Sequence, residues 1–164
     1  MLAANKGSEI TMEIDGPEMP IMDSVDIIYV SEEIKTFLTV EPLAKKLSIK
    51  PQTLSFFNEV TKGDKFLTKE KFESEKVKQL TDLSYRAFDG ESGLDALARF
   101  KTGVEFVAKE NPNKTILIVT HGTILNIYFS ELLNTCEKLS DRWQRTDFCA
   151  VGVVEDNKII KDIC

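Results

Sequence analysis

The chain has 164 residues, 42% hydrophobic and 29% charged, and carries a formal net charge of −6 at pH 7. A chain of this length buries roughly two thirds of the surface it exposes when unfolded, which predicts one domain over residues 1–164 and excludes an intrinsically disordered polymer. The negative balance disfavours nucleic acid or an anionic membrane as a partner bound through a general positive field.

The elements in chain order begin with Glu9–Ile14, where Ile10, Met12 and Ile14 alternate with polar residues before Asp15-Gly16-Pro17, predicting a short strand and a turn. The run Asp26-Ile-Ile-Tyr-Val30 predicts a buried strand, and Ile34, Phe37, Leu38, Leu43, Ala44 and Leu47 follow at helical spacing. From Leu54 to Phe66 the period is lost and Gly63-Asp64 appears, predicting a loop able to lie over a site. A helix capped by Thr68 should carry Phe72, Val77, Leu80 and Leu83 inward until Asp89-Gly90 stops it. Ser92 caps the next helix, with Leu94, Leu97, Ala98, Val104 and Val107 as its core face and Asn111-Pro112-Asn113 as its end.

The clearest element is Thr115-Ile-Leu-Ile-Val-Thr120, a β-branched run suited to a central strand covered on both faces. His121-Gly122-Thr123 breaks it, and Ile124–Leu133 resumes as a helix. Phe148–Val154 and Ile159-Ile160 flank Asp156-Asn157 as a terminal hairpin. Strands alternating with helices predict an α/β protein with three layers, α/β/α, around a mostly parallel central sheet.

No apolar run reaches the ~20 residues that span a bilayer, and the opening MLAANKGSEI lacks the layout of a signal peptide. Cys136, Cys149 and Cys164 have no metal-ligand spacing and read as free thiols, so the expectation is a cytoplasmic protein with no metal and no cofactor. A Gly-x-Ser-x-Gly elbow and a phosphate-cradling glycine loop ending in Lys-Ser or Lys-Thr are both absent, which leaves little support for a serine hydrolase or a nucleotide-binding loop. Trp143 with Arg142 and Arg145 is either a contact cluster or a lid on the core. The charge-rich stretch from Lys62 to Lys78 reads as a solvated helix face.

Ligands of open α/β sheets sit beyond the carboxyl ends of the strands, where helix N-termini attract anions. His121 stands at such a place, followed by a glycine that permits close approach and by the hydroxyl of Thr123.

The segment Ile118-Val-Thr-His121-Gly-Thr-Ile124 resembles the second histidine motif of the histidine phosphatase superfamily, the phosphoglycerate mutase-like proteins. Three further blocks resemble that family in order and spacing: Tyr29-Val-Ser31 through Lys35 to Thr39-Val-Glu41-Pro42, Phe57-Asn58-Glu59-Val60, and Gly90-Glu91-Ser92 with Asp95 and Arg99. The resemblance implies a phosphoryl-transfer pocket in which one histidine, within Arg-His-Gly, takes the phosphoryl group. A second histidine and two arginines hold its oxygens, and a glutamate protonates the leaving oxygen. Carried over, His121 matches the second histidine, Glu59 the acid, and Lys35 falls where an arginine is expected; Gly122 and Thr123 complete the phosphate-binding set.

The chain holds one histidine, so a mechanism needing two cannot run as usual. The first strand and Arg-His-Gly motif of the family are expected to be missing or degenerate: either they are lost from this sequence by truncation, in an otherwise active phosphatase or mutase of small phosphate esters, or Met1–Gly7 is a degenerate relic in which Asn5 and Lys6 stand for Arg and His. A protonated Lys6 would hold an anion rather than attack it. The replacement of a second arginine by Lys35 favours the degenerate account. That account implies a catalytically impaired relative acting by binding a phosphate-containing small molecule or a phosphoprotein, with a homodimer or another protein partner left open.

Overall fold

A computed structural model describes the backbone of residues 2–5 and residues 24–61, 68–135 and 138–163. The strand expected at Glu9–Ile14, its turn, the Gly63-Asp64 step and Lys6 lie outside the described residues.

Among the described residues six strands form one sheet: β1 (Leu2–Asn5), β2 (Ile27–Val30), β3 (Gln52–Thr53), β4 (Ile116–His121), β5 (Val151–Glu155) and β6 (Lys158–Lys161), in the order β3-β2-β4-β1-β5-β6. The first four run parallel, while β5 and β6 are antiparallel additions at one edge. The helices are α1 (Ile34–Leu47), α2 (Lys69–Thr81), α3 (Gly93–Glu110), α4 (Gly122–Leu133) and α5 (Leu139–Arg145), with single 3₁₀ turns at Ser55–Phe57 and Ala87–Asp89.

The pleat of β2 and β4 divides the core. Ile28, Val30, Leu117 and Val119 face α1 with Val40 and Ala44, whereas Tyr29 and Ile118 face the opposite layer with Phe57, Phe100, Ile124 and Phe129. Side chains alternating across a strand, apolar on both faces, produce the continuous hydrophobic run read in the sequence. The sheet is thus mostly parallel with helices on both faces, as the α/β/α expectation required.

The inward faces differ from those predicted. On α1 the buried stripe is Thr36, Val40 and Ala44, with Leu43 and Leu47 beside it, and Ile34 and Leu38 stay 68% and 57% exposed. Two apolar stripes lie on this helix, and the longer one meets the sheet. On α3 the buried face is Gly93, Ala96, Leu97, Phe100, Gly103 and Val107, while Leu94 and Ala98 point to solvent. Small residues are buried there because neighbours press onto the backbone: a methyl on Gly103 would run into Cβ of Phe56 and come 3.1 Å from Cε1 of Phe57.

Helix α2 ends at Thr81 rather than running on to Asp89, and Val77 is exposed. Its buried residues are Lys76, Gln79 and Leu80. The caps at Thr68 and Ser92 form as expected, each oxygen accepting the N–H three residues on. Helix α5 was not anticipated. It carries the buried Arg142, whose two terminal nitrogens donate to Asp162 at 2.9 and 2.7 Å, and Trp143 packs on the core beside it.

Candidate functional site

The carboxyl ends of β1, β2 and β4 gather at one edge of the core. His121 closes β4, Asn5 of β1 lies in register with it, and Val30 of β2 pairs with Val119, so that Ser31 follows beside the ring. His121 is fully buried. Its Nε2 lies 2.8 Å from the Ser31 hydroxyl and 3.2 Å from a Glu33 carboxylate oxygen. A carboxylate only accepts, so the Nε2 proton points to Glu33 and Ser31, and among the described residues the buried Nδ1 has no hydrogen-bond partner. Burial holds the imidazole below its ordinary pKa, and Lys35 and Arg99 push the same way against the nearby Glu59 and Glu33.

The Glu59 loop is carried to His121 by two anchors. Thr120 Oγ1 donates to the Phe57 carbonyl at 2.7 Å. Arg99 reaches across with Nη1, which donates to the carbonyls of Ser55, Phe56 and Asn58, while its Nε and Nη2 grip the two oxygens of Glu91 at 3.0 and 2.7 Å. So fixed, Glu59 places Oε1 at 3.1 Å from the Ile124 N–H and 2.9 Å from its neighbour Val60 N–H, and Oε2 at 3.1 Å from the Thr123 N–H. His121, the residue preceding α4, makes no side-chain cap. Glu59 supplies it from a distant loop, answering the unpaired N–H groups and positive end of the helix. Burial works against its charge, but the Lys76 ammonium, His121 and the N–H donors outweigh that and hold the carboxyl below the ordinary glutamate range.

Lys76 is the site residue that sequence reasoning missed. Only 2% exposed, it reaches from α2 with Nζ at 3.2 Å from Thr123 Oγ1 and 3.2 Å from Gln79 Oε1. The signal was present, because Phe72, Lys76, Gln79 and Leu80 share one helix face at spacings of four, three and one. Lys35, on the first turn of α1, pairs with Glu33 at 2.9 Å and is partly exposed.

Of the residues predicted for the site, His121, Glu59, Lys35, Gly122 and Thr123 are brought together. Thr123 is fully engaged, its N–H by Glu59 and its hydroxyl by Lys76. Lys6 lies outside the described residues. A pocket of about 630 Å³ at the other end of β4, lined by Val107, Asn111, Ile116, Tyr128 and Val153 among others, includes none of these residues.

Lys35 and the His121 ring are polar donors of the kind that can meet an anion at this place. Ser31, beside His121, is buried, and its oxygen is shared with Thr36 and the Glu33 N–H. Among the described residues no group of three His, Cys, Asp or Glu could hold a metal ion, and no helix is long and apolar enough to cross a membrane.

Residues 22–158 match the sequence model of the histidine phosphatase superfamily (branch 1). Among solved structures the chain is similar to YhfR of Bacillus stearothermophilus, with a TM-score of 0.66, 16% identity and coverage of 98% of this chain and 94% of that one. It is also similar to a phosphoserine phosphatase mutant from Entamoeba histolytica in complex with phosphoserine, at TM-score 0.67 and 18% identity over 87% of this chain and 74% of that one. A mycobacterial glucosyl-3-phosphoglycerate phosphatase follows at TM-score 0.62 and 17% identity, covering 74% and 65%. The chain spans between 58% and 65% of the length of the mycobacterial proteins it resembles. At these identities the likeness is one of fold. No curated protein sequence matches the chain.

Proposed function

Because the chain belongs to the histidine phosphatase superfamily (branch 1), we propose that it is a catalytically impaired relative, a pseudoenzyme, which keeps part of a phosphate pocket and binds a phosphate-bearing small molecule or a phosphoprotein at His121. The observation that carries this reading is the position of the one histidine. β4 has a strand on each side, β1 and β2, and their carboxyl ends flank His121. Asn5 ends the one strand and Ser31 follows the other, and since the sequence has a single histidine neither strand brings a second imidazole to take a phosphoryl group.

Two further features support the reading. A leaving oxygen needs a proton, and Glu59 is held ionised by three N–H donors and the Lys76 charge, so it has none to give near pH 7. Lys35 keeps the positive charge of the expected arginine but lacks the fork that grips two phosphate oxygens. Phosphoryl transfer depends on positioning and on charge neutralisation over three oxygens, and both are reduced. The three cysteines, odd in number and without metal-ligand spacing, support a reducing cytoplasmic location.

The test is hydrolysis of p-nitrophenyl phosphate by the purified chain beside its His121→Ala variant. The reading expects no turnover that depends on His121. Turnover abolished by that substitution would establish instead an active phosphatase.

A further inference from the structure

We propose that Glu33 is a built-in competitor for the anion site, its carboxylate occupying the place between His121 and Lys35 that a ligand phosphate would take. This inference rests on the anion-binding reading above and names the residue that limits it.

Glu33 is the residue immediately before α1, yet its side chain makes no cap hydrogen bond to that helix. It turns toward the pocket instead. One oxygen lies 3.2 Å from His121 Nε2 and the other 2.9 Å from Lys35 Nζ. Those are the two donors through which an anion would be held, and the carboxylate takes one with each oxygen. It is an anion of the protein's own, already seated.

The surrounding loop is pinned. Ser31 is tied to His121 and Thr36. Glu32 is tied to Asn58, accepting from Nδ2 at 2.7 Å and donating its N–H to Oδ1 at 2.9 Å. The backbone therefore cannot carry Glu33 away. Its side chain, 41% exposed, can rotate into solvent without disturbing any other described contact than these two. An incoming phosphate must then displace the carboxylate and sit beside its negative charge, losing affinity twice for one residue.

Because the chain has a single histidine, its imidazole gives a single set of NMR signals that reports directly on the site. Inorganic phosphate is titrated into the wild-type chain, Glu33→Gln and Glu33→Ala, with the His121 ring signals followed and the fold checked by circular dichroism. The alanine variant covers the case in which the amide rebuilds the bridge. Removing the charge-assisted contacts should lower the phosphate concentration at half saturation by roughly tenfold or more in at least one folded variant, and adding Lys35→Met to that variant should cancel the gain. Half saturation unchanged or raised in both variants, with the wild type still binding, overturns the role of Glu33 and leaves the anion site standing. Ring signals that move in none of the proteins up to millimolar phosphate overturn the anion site itself, and the inference with it.

Discussion

Glu59 separates a structural cap from a catalytic acid, and the two roles respond differently to Glu59→Gln. The substitution keeps the shape and one acceptor oxygen but turns the other into an NH₂ group that faces the Thr123 N–H or the N–H groups of Val60 and Ile124. At least one charge-assisted bond is lost, worth about 1.5–3 kcal/mol, and it caps a helix, where loss typically costs ~1 kcal/mol. These overlap, so the expected loss at pH 7 is about 2–3 kcal/mol in urea unfolding, a fall in Tm of about 2–4 °C for each kcal/mol. The pH dependence has a definite sign. A carboxyl lowered in the folded state stabilises fully above its unfolded pKa, near 4.5, and the contribution disappears as pH falls through the lower folded value. The stability gap between wild type and variant should therefore be constant above pH 5 and close in more acid solution. Other lowered carboxyls, such as Asp26, Asp82 and Asp95, are common to both proteins and cancel in the difference. Equal stability at pH 7, or a gap that persists unchanged into acid, would refute the cap.

Lys76→Met keeps the buried stem but removes the cation beside Glu59; its acid unfolding should begin about one pH unit higher than in wild type, read from urea melts at stepped pH. Arg99→Lys cannot hold Glu91 and the carbonyls of residues 55–58 together, and should lose about 2 kcal/mol in the same melts despite conserving charge. Gly103→Ala, which would gain about 1 kcal/mol in an open helix, should lose about 1–3 kcal/mol here because Phe56 and Phe57 occupy the space of the methyl.

β2, β4 and the closing hairpin were legible because their signal is local, whereas the two-residue β3 was not read and β1, the first strand expected to be missing or degenerate, is present at Leu2–Asn5 beside β4. A run such as Ile116–Thr120 is apolar on both faces wherever it lies, and a parallel sheet covered by helices is the usual way to bury it. Helix faces were less legible for an equally physical reason. Periodicity identifies apolar stripes but not which stripe meets the sheet, so Ile34 and Leu38 were taken with Leu43 and Leu47 although they point to solvent. On α3 the reading weighted large side chains, whereas tight packing selected Gly93, Ala96 and Gly103.

The site was legible only as far as its motifs run. His121, Glu59 and Lys35 come together from segments that no periodicity connects, and it was the resemblance of ordered blocks that joined them. Lys76 escaped because a lysine in a charge-rich stretch is ordinarily solvated. What makes this one different is a half-buried carboxylate contributed by a loop 17 positions away in sequence, and that loop is held by Arg99 rather than by its own residues. Burying a charge is tolerable when an opposite charge and hydrogen bonds meet it. Each ionised group at this site has such a protein-made answer: Glu59 meets Lys76 and the start of α4, and Lys35 meets Glu33. A phosphate pocket works on the opposite arrangement, with cationic and N–H donors left for the ligand. Here those donors are largely spent within the chain, and Glu33, with one side-chain rotation between its bridge and solvent, is the contact whose removal returns two of them at once.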